Sequence, residues 1–325
     1  MPTFANGLPV ARQQFGIALE ATKGTWVTSS AYPELDTFSP EDKITMLPVT
    51  GLRGSMVETY GEVQGVGTAD LSMGGAIFAD TIGWPLAGLL GDVATTGTAP
   101  YANAMAVLNS GQGQPKSYSF THNYDATLSR GYAGTQFSEV ELTYTAPDLA
   151  KFTAKATSLL STTETSPTAS YTAILPFAAW QCACLIGGAS TVVVTEATVT
   201  MTRKMDIINA LNGLQSPAQI FVGPLSVTWK ISGLADASDT ALLYYLNNTQ
   251  PAVDLTMTQS TTAILEVHST NVAFTGGPFK ADKDVMEIDL TGTAVANTTD
   301  VGASLGYGPV KVTLSNSVNG ATVYV

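Results

Sequence analysis

The sequence predicts a mainly β fold, an antiparallel β-sandwich or rolled barrel with short flanking helices. Three observations carry that prediction. Clean period-2 alternation of apolar and polar residues recurs along the chain, the pattern of strands with one face in a core. Thr and Ser are abundant while Lys and Glu are scarce; Thr, Val and the aromatics suit a pleated surface, and the usual helix surface is missing. No strand is regularly followed by a helix of about 10–15 residues, which argues against a doubly wound sheet and an (α/β)₈ barrel.

Residues 1–53 read as an N-terminal arm, irregular and extended, with short apolar groups between turn residues. An arm of this length costs chain entropy unless its own domain or a neighbouring chain holds it. A first β module spans 54–160. It opens with the glycine-punctuated strand GSMVETYGEVQGVGTADLSMGG, followed by a short helix over 84–91 with Pro85 near its start and Gly91 at its end. A Gly/Thr/Ala-rich loop is expected over 91–115. In KSYSFTHNY, Tyr118, Phe120, His122 and Tyr124 fall on one face; further on, Val140, Leu142 and Tyr144 oppose Glu139, Glu141 and Thr143. Phe152, Ala154 and Ala156 likewise oppose Lys151, Thr153 and Lys155.

The Ser/Thr-rich stretch 161–172, with Pro167, reads as a loop, and 173–325 as a second β module that completes or elaborates the first. Its strands are expected near 173–186, 191–202, 225–232, 253–258, 262–275, 285–296 and 309–315. Helices are expected over 203–213 (RKMDIINALNG) and 236–248, the latter capped by Asp236 or Ser238 with Asp239 in its first turn. Glu287 and Asp289 share one face of their strand, opposite Met286, Ile288 and Leu290.

Only 12% of residues are charged, against about 25% in an ordinary solvated domain, so neighbouring subunits are expected to cover much of the surface. The net charge of −12 is shared evenly between the halves. A chain that grips phosphate backbones needs the opposite sign, so tight nucleic-acid binding is excluded apart from a small local patch. No run of apolar residues is long enough for a membrane span, and the N-terminus lacks the basic-then-apolar pattern of a signal peptide.

Catalytic and cofactor signatures are missing. Neither a GxGxxG nor a GxxxxGK[ST] pattern occurs, and Gly111-Gln112-Gly113 is a loop fragment. The two histidines, His122 and His268, each sit inside an alternating strand, and HExxH is impossible with histidines so far apart. Cys182 and Cys184 form a lone CxC, read as small buried hydrophobes, since a structural zinc site needs about four ligands. The reading is a structural subunit without catalytic residues, cofactor or metal. Its long amphipathic strands leave sheet edges that copies of itself would close.

The glycine-rich strand EVQGVGTADLSMGG, the IGWPLAGLLGD helix directly after it and the PKSYSFT strand together resemble the major tail tube protein of long-tailed bacteriophages, in its larger form. EATVTMTRKMDIINALNG leading into GPLSVTWKISG, the segment ending YYLNN and AILEVHSTNVAF extend the likeness over about 10–300. The resemblance implies a tail-tube-type β-sandwich or rolled barrel that self-assembles into stacked, commonly hexameric rings around double-stranded DNA. It implies tape measure, tail terminator and distal tail proteins as partners, and residence in the virion tail after a stage in the host cytoplasm. Candidate lumen-facing residues are Glu58, Glu62, Asp70, Glu139, Glu141, Glu287 and Asp289; an ordinary solvated face is the competing reading. An acidic lumen would keep DNA from sticking during ejection. The family's long inter-ring loop falls on either 91–115 or the arm 20–53. A capsid decoration or other virion surface β-protein, or a carbohydrate-active β-sandwich, would share parts of this pattern. The latter would cluster aromatics and carboxylates in a cleft, whereas Trp26, Trp84, Trp180 and Trp229 are scattered.

Overall fold

A computed structural model describes residues 8–125, 128–165, 168–188, 193–235, 240–277, 279–281 and 284–325. In chain order, β1 (Gln14–Leu19), β2 (Thr37–Thr50) and β3 (Thr59–Ala76) precede helix α1 (Gly83–Leu90). Then come β4 (Gly91–Thr96), β5 (Tyr101–Val107), β6 (Tyr118–Asn123), β7 (Ser129–Thr145), β8 (Lys151–Ser158) and β9 (Thr162–Thr163). The second half contributes β10 (Cys182–Ile186), β11 (Val193–Ile208), β12 (Gln219–Leu234) and α2 (Thr240–Leu246). It ends with β13 (Val253–Ser260), β14 (Ala263–Ser269), β15 (Val272–Gly276), β16 (Phe279–Lys280), β17 (Glu287–Ala294), β18 (Lys311–Asn316) and α3 (Gly320–Val323).

Two antiparallel sheets result, and both mix strands from before and after residue 161. The larger runs β15-β17-β12-β11-β7-β8-β3-β2. Strand β7 is long enough to serve two neighbourhoods: its first half pairs with β6 and β9, its second with β8 and β11. The smaller sheet runs β10-β13-β14-β18-β5-β4. Alternation decides which faces meet. Leu71, Val140, Phe152, Val199, Trp229 and Ile231 point inward from the large sheet, and Leu255, Leu265, Val267, Val312 and Leu314 from the small one, all in one core. Trp229 is fully buried between the layers, and its Nε1 donates to Ser269 Oγ at 3.1 Å, tying β12 to β14.

Helix α1 closes one side of this core and is buried along its whole length. It packs so closely that a Cβ on Gly88 would overlap the Phe137 ring and lie 2.8 Å from Tyr118. Gly91 ends it with φ +88°, a left-handed conformation that glycine adopts without strain. The charged group that fixes its C-terminus was not legible in the sequence. Arg203, only 6% exposed, donates to the carbonyls of Leu89 (3.0 Å), Gly223 (2.7 Å) and Gly113 (3.3 Å), and burial pulls its pKa down to about 10.

Several expectations change. The arm contains β1 and β2, and the predicted loop after α1 is the β4–β5 hairpin. Residues 203–208 continue β11 instead of starting a helix, because β12 supplies cross-strand partners such as Ile220 opposite Ile207. The 173–186 strand is shorter, beginning at Cys182, and 262–275 divides into β14 and β15. Asp236, Ser238 and Asp239, the expected caps of α2, and Pro167 lie outside the described residues.

The link from β1 to β2 is held by a buried carboxylate. Glu20, 4% exposed, accepts from Gly24 N (2.8 Å) and Ser117 Oγ (2.6 Å) on one oxygen, and from Ser119 Oγ (2.8 Å) and Gly134 N (2.7 Å) on the other. Four donors to one charge offset its loss of water.

Candidate assembly surfaces

The outer face of the large sheet collects most of the singled-out acids. Register places Asp70 beside Glu41 and Thr157, Glu139 and Glu141 beside Thr202 and Thr200, and Asp289 beside Ser232. Since alternation is unbroken between these pairs, Asp70, Glu139, Glu141, Glu287 and Asp289 lie on one side of one sheet, among threonines. Parity within each strand predicts which residues share that strand's face; only the pairing register joins the faces of different strands.

That face is less negative than its carboxylates alone suggest. Lys155 meets Glu139 at 2.8 Å, Lys43 meets Asp70 at 2.7 Å and Glu41 at 3.6 Å, and Lys280 pairs with Asp289. Glu141 accepts from Thr200 Oγ1 at 2.9 Å. The lysines were legible as strand residues, but their pairing with these acids was not. These pairings push Asp289 below its ordinary range and Lys155 above its own, the first mainly through a hydrogen bond to Lys280 and the second through one to Glu139.

Glu58 and Glu62 are elsewhere. Between Asp70 and Glu62 the β2–β3 ladder has a bulge: two steps of β2, Ile44 to Met46, oppose three steps of β3, Gly67 to Gln64. An odd inserted residue turns Glu62 to the opposite side from Asp70. Glu58 lies in the connection between the strands.

Beyond that bulge the β2–β3 hairpin leaves the body of the protein. Ile44, Met46, Leu47, Val49 and Val63 are exposed along it, and Leu52 and Met56 are fully exposed at its tip. The β11–β12 hairpin has a similar outer half, exposing Ile207, Ile208, Leu211 and Leu214. Its turn touches the first hairpin through Gln215, which donates from Nε2 to Gly65 O (2.9 Å) and accepts at its carbonyl from Gly67 N (3.2 Å). A two-stranded ribbon is marginal alone in water, and apolar patches of this size mark contact surfaces. Strand β2 also ends the large sheet and carries a 14-residue edge without a strand partner among the described residues.

The histidines and cysteines singled out in the sequence are tied into the fold by local contacts. His122 is buried and donates from Nε2 to Gln13 Oε1 at 3.2 Å; its Nδ1 has no partner among the described residues, so it is inward-facing but only half satisfied. Desolvation lowers its pKa to about 4. His268 contacts Asp254 through Nδ1 and Thr270 Oγ1 through Nε2 at 3.2 Å, a grouping the sequence does not show because Asp300 completes it. Thr270 Oγ1 donates its proton to Asp300 at 2.8 Å, so it is not held as a nucleophile for His268. The fully buried Asp300 also accepts from Thr270 N and Asn297 Nδ2, which anchors the 297–308 connection to β14. Cys182 and Cys184 are free thiols packed against the core, and burial raises both to about 12. Among the described residues no group of three or more potential ligands converges as a metal site, and no helix is long and apolar enough to cross a membrane.

Sheets open at their edges and projecting apolar hairpins describe a subunit built to meet others, and the family comparison agrees. The model for the phage tail tube protein matches residues 10–309, nearly the whole chain. The chain belongs to that family. As a phage tail tube protein it is a structural subunit of the tail, and its mainly β, antiparallel fold is the one the sequence predicts. No curated protein matches the tail tube chain.

Proposed function

We propose that the chain assembles into stacked rings, hexameric in the simplest case, whose hollow centre conducts double-stranded DNA, and that it performs no catalysis. The observation that carries this reading is the outer face of the large sheet: one continuous surface of threonines and paired charges, bounded by the free edge of β2 at one end and by β15 and β16 at the other. Joining one copy's β2 edge to the opposite edge of the next is a heterologous contact, and a rotation that closes gives a ring with a β-sheet wall. On this reading Asp70, Glu139, Glu141, Glu287 and Asp289 face the lumen. Their lysine partners leave a weakly charged, hydrogen-bonded lining rather than a strongly acidic one. DNA would slide over it without attracting or strongly repelling contacts.

Of the two places for the inter-ring loop, the arm is favoured over 91–115. The β4–β5 hairpin is part of the small sheet, while β2–β3 reaches outward with an apolar tip. Glu58 and Glu62 then belong to contacts between rings and not to the lumen. The tape measure, tail terminator and distal tail proteins are the partners this architecture needs inside and at its ends, and the subunit waits in the host cytoplasm before joining the virion tail. Negative-stain microscopy of the purified chain tests the assembly. Six-fold rings or hollow tubes support it, and dispersed monomers at high concentration under every ionic condition contradict it.

A further inference from the structure

At the base of the long hairpin lies a groove of about 560 Å³, where the start of β2 meets β1. Its floor is aromatic: the rings of Phe15 and Phe38 lie 4.7 Å apart, and Phe38 meets His122 edge-on at 4.9 Å. Pro33 and Leu35 extend the apolar lining, and Glu34 and Asp36 stand on its rim. Neither carboxylate has an ion-pair partner among the described residues. Burial keeps His122 neutral above about pH 4, so the rim carboxylates set the charge of the groove.

The opposite end of the same strand carries the complement. At the hairpin tip Leu52 and Met56 are fully exposed, and the Arg53 guanidinium sits 4.4 Å from the Tyr60 ring centroid with no carboxylate partner among the described residues. The neighbouring tip, residues 209–218, exposes Leu211 and Leu214 but has no charged residue, so an acidic rim distinguishes the two. Phe38 and Leu52 are separated along β2 by a distance of roughly 45 Å at about 3.3 Å per residue. A contact from the tip of one copy to the base of another displaces the copies along the hairpin, which gives an open stack and not a closed pair.

We propose that the groove bounded by Phe15, Phe38, Glu34 and Asp36 is the acceptor site for the Leu52-Arg53-Met56 tip of a second copy in the adjacent ring. The apolar side chains fill the aromatic floor, and Arg53 meets Glu34 and Asp36 at the rim. The assignment rests on the stacked assembly proposed above and limits its ring-to-ring rise to about 45 Å or less.

The test uses the full-length chain. Arg53→Glu, and separately the double variant Glu34→Lys with Asp36→Lys, should each raise the critical concentration for tube formation about tenfold or more. Combining all three changes restores opposite charges in every copy and should return it to within about threefold of the wild type. Independently, p-benzoylphenylalanine in place of Leu52 should cross-link to residues 31–39, and mixing light and ¹⁵N-labelled chains should show that the link joins two copies. If a variant misfolds, this cross-link decides. Wild-type tubes with an unaffected Arg53→Glu variant, a triple variant no better than its parents, or links to residues 1–7 of the same chain each overturn the groove assignment alone. A wild-type chain that stays monomeric overturns the assembly reading and the groove with it.

Discussion

Replacing Glu20 by glutamine changes one oxygen to an amide nitrogen and nothing in shape, yet it should be among the costlier single changes in the chain. Each carboxylate oxygen accepts one serine hydroxyl and one backbone N–H: Ser117 and Gly24 on Oε2, Ser119 and Gly134 on Oε1. A hydroxyl can rotate to accept from the new amide. A backbone N–H cannot, so either orientation of that amide sets two donors against each other at Gly24 or Gly134. One buried N–H left unpaired costs about 1–3 kcal/mol, and the remaining bonds fall from charge-assisted to neutral strength, roughly half. Removing the desolvated charge returns part of this, leaving about 2–4 kcal/mol of a total near 5–15 kcal/mol. Urea titration of dilute, unassembled subunits should show the midpoint falling at constant slope. The Ser119→Ala change should cost less in the Glu20→Gln background than in the wild type, since the two share an interaction. A loss below about 0.5 kcal/mol would refute the assignment of Glu20 as the clamp of this link.

Gly88→Ala should destabilise by about 1–3 kcal/mol or more, because the new methyl group would have to displace Phe137 and Tyr118 in a full core; thermal melts of the monomer check it. His122, with its pKa lowered by burial from 6.5 to about 4, binds a proton more weakly folded than unfolded. Its contribution to stability is therefore whole above about pH 6.5 and lost as pH falls toward 4, and His122→Asn should flatten that part of the stability profile. Reversing Glu139 and Glu141 to lysine should leave assembly intact while slowing DNA ejection, because the lining would gain attraction for phosphate; an unchanged ejection rate in phage carrying the variant would remove both residues from the lumen.

What was legible in the sequence follows from the range of the forces involved. Helix α1 announces itself through Pro85 and Gly91, and β7 and β8 through uninterrupted alternation, all local signals. Strand β2 reads as irregular because Pro40 and Pro48 cannot donate to a ladder. It survives as a strand because it is an edge, where the missing N–H groups have no partner to disappoint. The run 203–211 has Met205, Ile208 and Leu211 at near-helical spacing, and only the distant β12 decides for strand. The β4–β5 hairpin is built from small residues with little strand preference and is held by β18, which lies some 200 residues away in sequence.

The candidate surface divides in the same way. Glu139 with Glu141, and Glu287 with Asp289, can be paired by parity alone. Uniting them with Asp70 on one face needs the register of five intervening strand pairs, and separating Glu62 from Asp70 needs the bulge. The clamp at Glu20, the Arg203 staple and the Asp254-His268-Asp300 grouping join residues that no local pattern connects.

In the proposed assembly the threonine-rich outer face of the large sheet becomes the inner wall of a tube. Helical reconstruction of assembled tubes by electron cryomicroscopy tests it directly. The expected result is a continuous β-sheet wall with Glu141, Thr200 and Asp289 facing the axis, and the β2–β3 tips lodged against Phe15 and Phe38 of the adjoining ring. A wall in which those residues face outward, or a lumen lined by the small sheet, would contradict it.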